Sequence, residues 1–145
     1  MTTFRTSREF PAKPSTVFAA FADPSRLAKW WGPNGFSNTI HTFDFRPGGS
    51  WTFSMHGPDG QTYPNECVFS SIVGNEKVVI KHQSQPQFEL TITLHESAAG
   101  TLVVWEQVFA DASIASAIRH VVEPANEQNL ERWAEALLTT PSSQA

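Results

Sequence analysis

The chain has 145 residues, a net charge of −4, 40% hydrophobic and 17% charged residues, which excludes disorder, and the absence of a basic surplus argues against a nucleic-acid partner. No apolar run reaches membrane-spanning length, and the N-terminus MTTFRTSREF lacks the apolar core of a signal peptide. The one cysteine, Cys67, allows no internal disulfide, so the expectation is a single cytoplasmic domain over residues 1–145.

Thr2 to Phe10 reads as a polar strand suited to a sheet edge. Lys13-Pro14-Ser15 opens a helix with Pro in its first turn, and Val17, Phe18, Ala20 and Phe21 form its apolar stripe. Asp23 caps and Pro24 begins a second short helix, with Leu27, Trp30 and Trp31 inward, broken at Gly32-Pro33-Asn34-Gly35. Asn38 to Phe45 is the second strand, with His41, Phe43 and Phe45 sharing a face. Arg46-Pro47-Gly48-Gly49 is a tight turn, since Pro presets φ and Gly accepts φ above zero. From Gly49 to His56 alternation is strict: Trp51, Phe53 and Met55 lie on one face, Thr52, Ser54 and His56 on the other. Gly57-Pro58-Asp59-Gly60 closes the next hairpin.

Tyr63 to Val73 is the fourth strand; Val68 and Phe69 have opposite parity, which leaves its facing, and that of Glu66, open. Glu76 to Gln83 puts Val78, Ile80 and His82 in phase. Gln87 to His95 does the same with Phe88, Leu90, Ile92 and Leu94. Thr101 to Phe109 turns Val103, Trp105, Gln107 and Phe109 inward and Glu106 outward. Ala112 to Val122 reads as a connection with a short helical turn, and Pro124 opens the last helix. On that helix Leu130, Trp133, Ala134, Leu137 and Leu138 recur at helical spacing. Thr139 to Ala145 is a polar tail, expected to fray.

The fold class is therefore α+β: a curved antiparallel sheet of about seven strands wrapped around a long C-terminal helix, with two short helices after the first strand. Wherever side chains do not fill it, the space between sheet and helix is a cavity. Three stretches, DPSRLAKWWGPNGF (Asp23–Phe36), FDFRPGGSWTFSMHGPDG (Phe43–Gly60) and PANEQNLERWAEAL (Pro124–Leu137), together resemble the family of activator-of-Hsp90-ATPase homologues (AHSA1-like). That family lies within the START/Bet v 1-like helix-grip superfamily, also called SRPBCC, and the resemblance runs from about Arg8 to Leu138. It implies a hydrophobic cavity between sheet and long helix. The superfamily includes lipid and hormone carriers, polyketide cyclases and ring-hydroxylase subunits, with no shared catalytic set, so no catalytic residue is assigned. Chaperone stimulation is not carried over, because the eukaryotic namesake uses an additional N-terminal domain absent from this sequence.

The expected function is binding of a small hydrophobic or aromatic molecule in that cavity. The candidate ligand-binding residues are Trp31, Phe36, His41, Phe43, Trp51, Phe53, Met55, His82, Phe88, Trp105, Gln107, Asn129 and Trp133. Aromatics also simply fill cores, and a buried histidine is usually held by hydrogen bonds. The five histidines show no metal-ligand spacing, and no cofactor or metal is expected. One alternative is a cyclase- or hydrolase-type enzyme with His41, His82 or Glu66 converging as acid–base groups. Another is a chaperone-partner module with an exposed apolar patch around Trp30, Trp31 and Phe36, which a homodimer could also use.

Overall fold

The computed structural model of the chain describes residues 2–138, so the tail expected to fray at Thr139–Ala145 lies outside the described residues. In chain order the elements are β1 (Thr2–Phe10), α1 (Pro14–Ala22), α2 (Pro24–Trp30), β2 (Ser37–Phe43), β3 (Ser50–His56), β4 (Thr62–Val73), β5 (Lys77–His82), β6 (Phe88–Ser97), β7 (Gly100–Phe109) and α3 (Ala112–Ala136). The strands form one seven-stranded antiparallel sheet in the order β1-β7-β6-β5-β4-β3-β2, so the first strand lies at an edge, as its polarity suggests. The helices cover one face. No helix among the described residues is long and apolar enough to cross a membrane.

Turn chemistry positions the strands. Asp23 accepts from the Ser25 N–H at 3.0 Å and Pro24 supplies the first helical residue, so α1 hands over to α2 without a loop. The turn between β2 and β3 uses Gly48 at φ +83°, and extends the sheet: Gly48 N–H donates to Phe69 O at 2.7 Å and Phe69 N–H to Gly49 O at 3.0 Å. Gly49 is demanded by space, since a Cβ there would lie 1.9 Å from Asp44 O.

Two expectations need correction and one open facing is resolved, in chain order. The first concerns β2. Its register against β3 shifts between Ile40 and Thr42, so one residue is unpaired in a bulge. Ile40 and Phe43 turn towards the core, while His41 is exposed and meets Ser54 Oγ at 2.9 Å on the outer face. The second concerns β4, whose own register shift lies between Phe69 and Ser71. Before it, Cys67 and Phe69 face inward and Glu66 outward, which resolves the ambiguity that Val68 and Phe69 create in the sequence.

The third concerns α3, which begins at Ala112 and runs through Pro124. Asp111 caps it, accepting from Ser113 N at 2.9 Å and Ile114 N at 3.2 Å. Ala115 is buried with Phe4 and Phe109, and Ile118 and Val122 pack on them, a helical stripe of their own. Pro124 removes one backbone donor inside the helix, but anchored turns on both sides hold the backbone helical.

The core is densest where α1 and α2 meet the sheet. Trp30 and Trp133 stack at 4.7 Å, and their indole N–H groups donate to Ala20 O and Val17 O, each at 3.1 Å. Phe21 sits among Trp30, Trp31, Phe45, Trp51 and Trp133. The overlap at Gly49 yields a direct prediction. Gly49→Ala should destabilise the fold by about 2–4 kcal/mol, because backbone and not a flexible side chain must move. Urea unfolding measures it; a variant as stable as the parent would contradict the close approach.

Candidate ligand-binding cavity

The cavity wall starts with one turn of α3. Asn126 Nδ2 donates to Gln107 Oε1 on β7 at 3.0 Å, and Glu127 accepts from Thr6 Oγ1 on β1. Gln128 Oε1 accepts from Asn34 N at 3.0 Å and Asn129 Oδ1 from Gly32 N at 2.8 Å. Each residue of this NEQN run therefore ties α3 to another part of the chain. Arg132, one turn on, donates from Nη1 to Trp31, Gly32 and Pro33 carbonyls and from Nη2 to those of Lys29 and Phe36, at 2.7–3.3 Å. Burial pulls the guanidinium's pKa down from its ordinary value, and Glu135 opposes the shift. The segment after α2, Trp31 to Phe36, is thus held against α3 by its backbone.

Between this segment, α3 and the sheet lies a cavity of about 760 Å³. Trp31 and Phe36 line it from the clamped segment, Phe53 and Met55 from β3, His82 from β5, Phe88 from β6, Trp105 and Gln107 from β7, and Asn129 from α3. Tyr63, 43% exposed, and Val121, 57% exposed, stand at its mouth.

The other four expected residues lie elsewhere. His41 is on the outer face because of the β2 bulge. Phe43 stacks on Phe45 at 5.4 Å, and Trp51 and Trp133 are closed into the aromatic cluster around Phe21. They sit where the short helices fill the space under the sheet. Conversely, Asn65, Cys67, Ile80, Ser84, Gln85, Pro86, Leu90, Val121 and Asn126 line the cavity and were not anticipated. Signals existed for some of them. Ile80 and Leu90 are in phase with His82 and Phe88, and Asn126 precedes Asn129 by one helical turn. The segment around Ser84 carries no periodicity, and Val121 belongs to the stretch read as a connection.

The polar side chains are few and mostly engaged. His82 stacks on Phe88 at 4.5 Å, with Nδ1 2.9 Å from Pro86 O and Nε2 2.6 Å from Asn65 Oδ1. Burial lowers its pKa, against the raising effect of hydrogen bonds at Pro86 and Ser84. Burial pushes the Cys67 thiol up to about 12, which makes it a poor nucleophile. The indole N–H groups of Trp51 and Trp105 are buried with no partner among the described residues. Since His41 and Glu66 are exposed on the outer side and His82 is held by Pro86, the acid–base trio does not converge. Trp30 and Trp31 are 2% and 9% exposed, so the apolar docking patch expected there is interior. Among the described residues no cluster of three or more His, Cys, Asp or Glu could hold a metal.

A family model described as Activator of Hsp90 ATPase homolog 1-like protein matches residues 11–139. Solved structures share the fold. A Chromobacterium violaceum protein is 26% identical with a TM-score of 0.82, over 93% of this chain and 96% of its own. An Arthrobacter aurescens protein is 21% identical with a TM-score of 0.87, over 95% and 87%. The AHSA1-like protein of Aeromonas hydrophila is 16% identical with a TM-score of 0.78, over 95% and 93%. No curated protein matches the chain.

Two predictions follow from this geometry. Arg132→Met leaves the carbonyls around the clamped segment without their donor and should cost about 2–4 kcal/mol of stability. Arg132→Lys should recover only part, because an ammonium is a compact charge with fewer donors; full recovery in urea unfolding would show that charge alone suffices. The second concerns pH. The folded pKa of His82 lies below the ordinary 6.5, so the unfolded chain binds the proton more readily. Its contribution is complete above pH 6.5 and is lost as pH falls from there through the folded value. Asp23, Asp59 and Asp111, whose pKa values are lowered from 3.8 by hydrogen bonds, act in a more acidic window. The urea midpoint should therefore drop between pH 7.5 and pH 5, and His82→Gln should reduce that drop; an undiminished drop in the variant would exclude His82 as its source.

Proposed function

Because the chain belongs to the Activator of Hsp90 ATPase homolog 1-like family, we propose that it works through the cavity of its helix-grip SRPBCC fold, as a single cytoplasmic domain that binds a small hydrophobic or aromatic molecule between the sheet and α3. The observation that carries this reading is the cavity itself. Its volume of about 760 Å³ falls within the range of small-molecule sites, and aromatic and aliphatic walls with a few amides match their usual lining. A binding role is preferred to acid–base catalysis because the other titratable groups lining the cavity with His82 hold their protons, Tyr63 through its hydrogen bond to Asp59 and Cys67 through burial. It is preferred to chaperone docking because Trp30 and Trp31 are spent inside the fold.

The test is a titration with the uncharged dye N-phenyl-1-naphthylamine, whose emission rises in apolar surroundings, together with native mass spectrometry of the purified chain. One dye per chain should bind. Val121→Trp, on an exposed helical surface at the mouth, should weaken binding about tenfold without loss of stability. No saturable binding, or binding indifferent to Val121→Trp, would sink the proposal.

A further inference from the structure

Among the described residues that line this cavity there is no Asp, Glu, Lys or Arg. Its titratable members are Tyr63, Cys67 and His82. Each shift favours the neutral form: the Asp59 hydrogen bond raises Tyr63, and burial raises Cys67 and lowers His82. Arg132 spends both terminal nitrogens on backbone carbonyls.

Polar side chains line the cavity on two sides, Asn65, His82, Ser84 and Gln85 on one and Gln107, Asn126 and Asn129 of β7 and α3 on the other, and the hydrogen bonds of the second group leave a defined remainder. Gln107 Oε1 takes Asn126 Nδ2, and Asn129 Oδ1 takes Gly32 N–H. Gln107 Nε2 and Asn129 Nδ2 then stand as donors and Asn126 Oδ1 as an acceptor, without protein partners among the described residues. A ligand entering here meets apolar rings, and on the β7–α3 side donors with an acceptor. A carboxylate would find donors but no counter-ion, an opposing Asn126 oxygen and a chain of net charge −4. A cation would be drawn to the aromatic faces, but the polar side turns N–H hydrogens towards it and supplies no carboxylate.

We propose that the cavity selects uncharged, ring-bearing molecules that carry a combined donor–acceptor group, such as a primary carboxamide or a hydroxyl beside a carbonyl, and rejects their ionised counterparts. The inference rests on the binding role proposed above and specifies its ligand class.

Three matched probes test it: naphthalene-2-carboxamide, naphthalene-2-carboxylate and a naphthyl trimethylammonium, titrated against the full chain at pH 7 by quenching of tryptophan emission. An aromatic acid with a pKa near about 4.3 is neutral in roughly one molecule in 500 at pH 7, so a site that takes only the neutral form binds it about 500-fold more weakly. The carboxamide should bind, with the carboxylate weaker by at least about a hundredfold and the ammonium weaker by at least about tenfold. Either charged probe matching the carboxamide would overturn the selectivity and leave the binding role standing. No binding by any of the three would overturn both. Gln107→Leu should weaken the carboxamide about tenfold more than it weakens unsubstituted naphthalene; equal losses for the two would remove the amide's role in selection.

Discussion

The grip of Arg132 on the segment after α2 is the constraint on which the cavity depends. A helix end leaves carbonyls without intrahelical partners, and the carbonyl of Lys29 is one of these. A planar guanidinium, with donors fanned in one plane and a charge favoured at a helix C-terminus, can serve several such acceptors at once. Here it also serves Trp31, Gly32, Pro33 and Phe36, so a stretch with no regular structure has its carbonyls bonded to one side chain. Asn129 and Gln128 complete the attachment from the same face of α3. Because the grip reads backbone, it constrains side chains little except at Gly32. That residue has φ +98°, and a Cβ there would lie 2.8 Å from Met55 Cε.

The same arrangement divides the space under the sheet. Towards β2 and β3, the two short helices deliver Phe21, Leu27 and Trp30, and these pack against Trp51, Phe69 and Trp133 until the region is solid. Further along, α3 presents Asn126 and Asn129 in place of large apolar side chains. Amides are small, and buried amides are tolerated only if they are bonded. Gln107 and the Gly32 N–H satisfy part of their capacity, and what remains faces the cavity wall. Trp105 carries a similar residue of unmet capacity, its indole N–H being buried and unpaired. In the packed end of the core the indoles of Trp30 and Trp133 are bonded to backbone, while that of Trp51 is buried and unpaired; beside the apolar hollow it is side-chain amides that keep open capacity.

What the sequence by itself determined is the architecture and the general place of the cavity. Alternation in Ser50–His56, Phe88–Ser97 and Gly100–Phe109 assigns inner and outer faces, because side chains on a strand change sides at every residue. Asp23-Pro24 and Arg46-Pro47-Gly48-Gly49 place the breaks, because their backbone chemistry admits few conformations. The family resemblance rests on Asp23–Phe36, Phe43–Gly60 and Pro124–Leu137, and the strand patterns with these stretches point to the wall residues Trp31, Phe36, Phe53, Met55, His82, Phe88, Trp105, Gln107 and Asn129. Tertiary structure decided the rest. A bulge inverts the parity of everything beyond it, and pairing across strands, which no single segment encodes, sends His41 to solvent and Ile40 inward. The helix passes through Pro124 because Ala115, Ile118 and Val122 find Phe4 and Phe109, a contact between the two ends of the chain that outweighs a local signal to start afresh. Which aromatics fill and which line was settled only when the short helices occupied one end of the sheet, since composition states how many rings there are and only packing states where they stop.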